Sequence, residues 1–159
     1  MPEAGYGRRL ATAALSYAVL HHLGVLPDGL GSAPEGTRWA DWLDLAVPWL
    51  VLAPAAATLA SASATPRQWA VLACGAVACA SGHDIHLAAN SVGNTAPGPT
   101  AHLWDEAVGH LVWCAGVALV LAALAGTMRD RPRPTGAAAV VGAGLAVRRR
   151  HLGDQRGGR

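Results

Sequence analysis

Long apolar runs closed at their ends by polar residues organise this chain. Residues 10–26, 43–62, 68–89 and 104–126 are each mostly apolar. Each is long enough to cross a bilayer as a helix, which takes about 20 residues. The run at 104–126 is the cleanest, with no charge from Val112 to Ala125. Pro48 and Pro54 interrupt the second run and would break a helix in water, but within a membrane bundle they are tolerated as kinks. A loop rich in Pro, Gly and acidic residues occupies 27–41, a short turn 61–66, and a second loop 90–99. The expected fold is all-α: a polytopic transmembrane bundle of four helices within residues 1–134, then a short apolar segment and basic tail at 135–159. The apolar stretch at 136–147 is about 12 residues, too short for an ordinary span; a short fifth helix is the alternative. A basic start before an apolar run is also the form of a cleaved signal peptide. His21 and His22 interrupt that run and no Ala-x-Ala site closes it, so an uncleaved first span is expected.

Composition supports a membrane protein. Of 159 residues, 52% are hydrophobic and 14% charged, where a soluble domain carries roughly 25% charged residues. Mean hydropathy is +0.29. The net charge of +2 comes from short basic clusters and gives no reason to expect nucleic acid as a partner. Cys74, Cys79 and Cys114 lie in apolar segments without CxxC spacing, so buried free thiols are expected. Trp39, Trp42 and Trp49 mark one end of the second span as interfacial. With four spans, Arg8, Arg9, Arg67, Arg129, Arg131 and Arg133 share one side, while Asp28, Glu35, Asp41 and Asp44 share the other with Arg38. The excess of arginine places the N-terminus in the cytoplasm of a multi-pass cell-membrane protein.

The same topology gathers imidazoles and carboxylates at the opposite side. His21 and His22 close the first span, and Asp44 opens the second. His83, Asp84, His86 and Asn90 close the third, and His102, Asp105, Glu106 and His110 open the fourth. Ionisable groups are costly in lipid, so their convergence is a functional-site hypothesis. His83, His86 and Asn90 are three and four residues apart and share a helix face. In an α-helix His102, Glu106 and His110 form a second stripe, with Asp105 at its edge. Facing stripes of this kind are how bundles build metal sites. The candidate metal ligands are His22, His83, His86, Glu106 and His110, and the mix of imidazole and carboxylate suits a divalent metal, zinc first, with iron or haem as alternatives. Asp84 and Asp105 are candidate catalytic carboxylates, orienting a histidine or acting as general base. There is no HExxH motif, and Glu106 and His110 are one residue too far apart for a diiron Glu-x-x-His pair.

Structural explanations compete at each position. His21 and His22 suit an interface, His102 a surface, and Asp105 the start of a helix. Glu106 with His110, or His83 with His86, would also serve as internal polar contacts that set helix register. Gly75, Ala76, Gly109, Gly116 and Ala118 permit close helix contacts within or between chains.

Gathered histidines and acids near one surface of a small helical membrane protein are similar in character to the alkaline ceramidase and adiponectin-receptor superfamily of membrane metal hydrolases. That likeness touches only residues 82–110. The superfamily's seven helices and late His-x-x-x-His pair are missing from this sequence, so no residue roles are carried over. Gly82-His83 through Asn90, with Asp105-Glu106 and His110, also resembles a bacterial family of small integral-membrane proteins. Three functions remain open: a membrane-embedded metal-dependent enzyme, such as a hydrolase of a lipid or amphipathic substrate near the outer leaflet; a haem- or ion-binding carrier, with Trp104 and Trp113 flanking a haem plane; and a non-catalytic structural component. Expected partners are the lipid bilayer, a lipid-like substrate, and a second copy or partner subunit.

Overall fold

The computed structural model describes residues 2–20, 30–32 and 37–129, and all statements here concern those residues. The chain divides into two compact units, Met1–Thr127 and Met128–Arg159. Of the second, only Met128 and Arg129 are described, so the apolar stretch 136–147 and the fifth-helix alternative lie outside the described residues.

The fold is an all-α bundle of four long helical segments. α1 covers Pro2–Leu20, beginning well before the expected residue 10, and residues 21–29 lie outside the described part. The second segment consists of α2, Trp39–Asp44, and α3, Val47–Ala60. A turn at Leu45 and Ala46 separates them, and Pro48 sits in the first turn of α3, where its missing N–H costs nothing. Pro54 lies inside α3, and the carbonyl of Pro54 accepts the Thr58 hydroxyl at 2.8 Å.

α4, Pro66–Thr95, starts at a capping box: Gln68 N–H donates to the Thr65 hydroxyl, and Thr65 N–H donates to the Gln68 side chain. It continues six residues beyond the expected end, so Asn90 to Thr95 are helix rather than loop. Side-chain bonds hold these polar turns. Asn94 donates to Asn90, Thr95 to the Ser91 carbonyl, and Ser91 to Asp41 of α2 at 3.1 Å. The fourth segment begins at Pro99 with the short α5, Pro99–His102. It passes through a π-helical segment, Leu103–Gly109, and becomes α6, His110–Met128.

Three stretches are long and apolar enough to cross a membrane: Trp39–Ala60, Pro66–Thr95 and Pro99–Met128. α1 packs along α3, with Arg9 donating to the Ala57 carbonyl and Tyr6 bonded to Thr127 at 2.6 Å. Thr127 donates its own proton to Leu124, so Tyr6 is the donor of that pair. An apolar core of Leu52, Ala55, Leu59, Leu72, Val120, Ala123 and Leu124 fills this half of the bundle.

α4 and α6 meet backbone to backbone in antiparallel register. A Cβ on Gly82 would overlap the Trp113 backbone, and one on Gly116 would overlap that of Cys79. One on Gly75 would lie 2.9 Å from Leu119, and one on Gly109 2.9 Å from the His86 nitrogen. The four glycines are seven apart on each helix, two helical turns, so they line one seam. This seam places Trp104 at the level of Ser91. Trp69 is 22 residues below Ser91 on α4, about 33 Å at the usual helical rise. The outward-facing Trp69 and Trp104 thus mark two planes separated by roughly the 30 Å of a hydrocarbon core.

Gly82→Ala is therefore expected to force the two helices apart and destabilise the folded bundle by about 1–3 kcal/mol, as overpacking does. Gly5→Ala, whose added carbon meets nothing within 4 Å, is the matched control. Thermal unfolding of both variants in one detergent checks this.

Candidate functional site

At the end away from the apolar core, α2, α4, the π segment and α6 bring five of the sequence's polar residues together. His83 is 3% exposed, and its Nε2 lies 3.7 Å from Asp44 Oδ2. One turn further along α4, His86 Nδ1 lies 2.5 Å from Asp105 Oδ1. Both of those atoms are buried, and their approach is a close electrostatic contact rather than an aligned hydrogen bond. His110 Nδ1 lies 2.9 Å from the main-chain carbonyl of Asp105. A carbonyl only accepts, so this nitrogen carries the proton and the neutral ring's lone pair is on Nε2. The His86 and His110 rings stand 4.5 Å apart between centroids.

Trp113, which sequence reasoning considered only as a flank for haem, sits among all three imidazoles. It meets His83 edge-on at 5.2 Å, and its ring centroid is 6.2 Å from that of His86 and 6.0 Å from that of His110. Its indole also donates to Cys79. Tyr17, Cys79, His83 and Trp113 line a small, partly open pocket of about 10 Å³ with Val47, Pro48 and Val51. His21 and His22 follow Tyr17 by four and five residues, and both lie outside the described residues.

The π segment decides which acid joins the site. With α-helical spacing Glu106 would stack over His110. The wider i→i+5 turn instead aligns Asp105 with His110, five residues on. Glu106 is exposed, as are His102 and Asp84, while Asp105 is half-buried against His86. Of the expected ligands and acids, His83, His86, Asp105 and His110 are brought together, and Asp84 and Glu106 are not. Of the three cysteines only Cys79 is buried. Cys74 and Cys114 face outward, and none of the three is in a disulfide.

A second polar contact lies beside the site. Arg38 grips Asp41 through two nitrogens, with its NH2 group 2.6 Å from Oδ1 and Nε 3.1 Å away. Asp41, 8% exposed, accepts the Ser91 hydroxyl as well. α2 is thus tied to α4 both here and at the His83–Asp44 pair. The three-residue spacing of Arg38 and Asp41 was visible in the sequence, but nothing there pointed to Ser91.

No three His, Cys, Asp and Glu side chains among the described residues stand as a ready ligand set for a metal ion. What the described residues offer is two imidazoles, His86 and His110, each with Nδ1 turned to Asp105. Comparison with family models, curated proteins and solved structures finds no match.

The two imidazoles use different atoms of Asp105, and this separates them experimentally. Asp105→Ala removes the carboxylate facing His86 but keeps the carbonyl that holds His110. In imidazole nitrogen–proton spectra, the His86 ring signals are expected to move while the His110 Nδ1–H signal persists.

Proposed function

We propose that this membrane-embedded bundle is a metal-dependent hydrolase of an amphipathic substrate, working at the His86–Asp105–His110 centre. One observation carries this reading: both imidazoles face Asp105 through Nδ1, which leaves Nε2 of each for a ligand. Metal-ligating histidines characteristically turn their second ring nitrogen to a carboxylate or a backbone carbonyl, and Asp105 supplies one of each. A catalytic zinc site has about three protein ligands and one open position. His86 and His110 are two of them in this reading.

A divalent ion held by His86 and His110 would supply Lewis-acid chemistry toward water and an ester or amide carbonyl. The protein's own groups do the rest. Asp105 fixes the His110 tautomer through its carbonyl and sets its carboxylate against His86, and Trp113 stands between the centre and His83. The His83–Asp44 pair, one turn deeper, is a proton acceptor within reach of the same tryptophan. Depth agrees with an amphipathic substrate: His86 is five residues below the Trp104 level, about 7 Å inside the interfacial plane. The exposed Arg8, Arg9 and Arg67 at the other end favour a cytoplasmic N-terminus, which puts the centre near the outer leaflet.

A second reading, an ion or proton carrier, is favoured by one further observation. Two imidazole–carboxylate pairs, His83–Asp44 and His86–Asp105, follow one another along α4 and share Trp113. Histidine and acid chains of this kind relay protons in membrane proteins. Haem in place of a simple ion would give visible absorbance.

Elemental analysis of protein purified without chelator is expected to find stoichiometric zinc or iron. His86→Ala and His110→Ala are expected to reduce it to background while the protein remains inserted, and His102→Ala, at an exposed ring, to retain it. Metal-free wild-type protein would overturn the hydrolase reading. For orientation, a reporter that matures only in the cytoplasm is expected to be active in the 61–64 turn and inactive after Gly98.

A further inference from the structure

An open groove of about 570 Å³ runs between the last turns of α4 and the chain that re-enters the bundle through α5. We propose that this groove seats one acyl chain of a membrane lipid, laid alongside the His86–Asp105 centre. The proposal rests on the hydrolase reading for its catalytic meaning, but not for the binding itself.

Three observations carry it. The first is lining chemistry. Ile85, Ala88, Ala89 and Val92 form one wall and Trp104 the other, and Thr100 is the one hydroxyl-bearing side chain in the lining. Small alanines open the space and bulky Ile85 and Trp104 bound it, with nothing inside to recognise a charge. Its volume falls in the roughly 300–1,000 Å³ range of small-molecule sites.

The second is depth. Both walls belong to helical stretches long and apolar enough to cross a membrane. Ser91, level with Trp104, lies near the middle of the α4 wall, so the groove straddles the interfacial plane. Its Thr100 end lies on the water side, and its Ile85 end about 9 Å inside the plane at the usual helical rise. An outward groove that descends into the hydrocarbon is filled by what surrounds it there, and that is acyl chain.

The third is continuity with the centre. Ile85 and Trp104 immediately precede His86 and Asp105, whose side chains meet at 2.5 Å. Neighbouring helical residues point about 100° apart, so a chain lying against Ile85 and Trp104 runs past the flank of the acid–imidazole pair at the depth of His86.

The test uses the full chain in phosphatidylcholine vesicles containing a phosphatidylcholine with a diazirine acyl chain, with chelator present throughout. Photolabelling is expected to concentrate on peptides bearing Ile85, Val92 and Trp104, and to be competed by unlabelled phosphatidylcholine. Ala89→Phe, which fills the groove, is expected to reduce it to the level seen on the outward-facing Val77 and Leu121. Retention of the native unfolding temperature by that variant separates a filled groove from a misfolded bundle; Ala89→Leu is the milder filling variant should the larger ring not be accommodated. Uniform, non-competed labelling of all outward faces overturns the proposal, as does cross-linking of the groove to a second copy of the chain. Because chelator is present, labelling in the groove without bound metal or hydrolysis in parallel samples supports the lipid seat and leaves only the hydrolase reading to fall. Hydrolysis that survives in a filled, unlabelled groove has the opposite meaning.

Discussion

The backbone contact between α4 and α6 governs everything at the polar end of this molecule. Lipid tails are as apolar as leucine, so helices inside a bilayer gain little from hiding apolar surface against one another. They associate where small residues let backbones approach and where polar groups find partners. Gly75 and Gly82 on one helix, with Gly109 and Gly116 on the other, provide that approach along one seam. The seam sets both rotation and level. It puts Gly109 against the His86 backbone, and so brings His86 beside Asp105 and His110.

The bundle divides its work lengthwise. One half is held by aliphatic packing among α3, α4 and α6, with the Tyr6–Thr127 hydrogen bond joining α1 to α6. The other half carries imidazoles and carboxylates that would be costly in hydrocarbon without partners. Three imidazoles among the described residues face an oxygen there: His83 that of Asp44, His86 the Asp105 carboxylate, His110 the Asp105 carbonyl. Arg38 and Ser91 neutralise and bind Asp41 in the same way. These contacts tie the short α2 across the polar half, so the site is built from four segments rather than one.

The nitrogens of each ring are not equivalent. Nδ1 of His86 and of His110 faces Asp105, and in the reading proposed above the opposite edges of those rings would exchange a ligand or proton. The apolar groove begins one residue away on either side of the contact, at Ile85 and Trp104. A polar centre just inside the interface thus stands near an open apolar groove, and both proposals above start from that pairing.

The membrane made much of this legible in the sequence. A bilayer demands apolar runs of a given length, so the spans at 43–62, 68–89 and 104–126 could be read without any knowledge of packing, and their alternation put the two polar sets at one end. The three-residue spacing of His83 and His86 also fixed their common face, because helical geometry is local. Partner choice was not local. Whether Asp105 or Glu106 meets His110 depends on a π-helical turn that Leu103–Gly109 does not announce, since one added residue in the turn rotates every side chain beyond it. The helical course of Asn90 to Thr95, the joining of Ser91 to Asp41, and the place of Trp113 among three imidazoles were likewise decided only by the tertiary structure. The place of Trp113 depends on how closely a second helix approaches, and that distance is set by glycines whose contacts lie between 23 and 45 residues away in the chain.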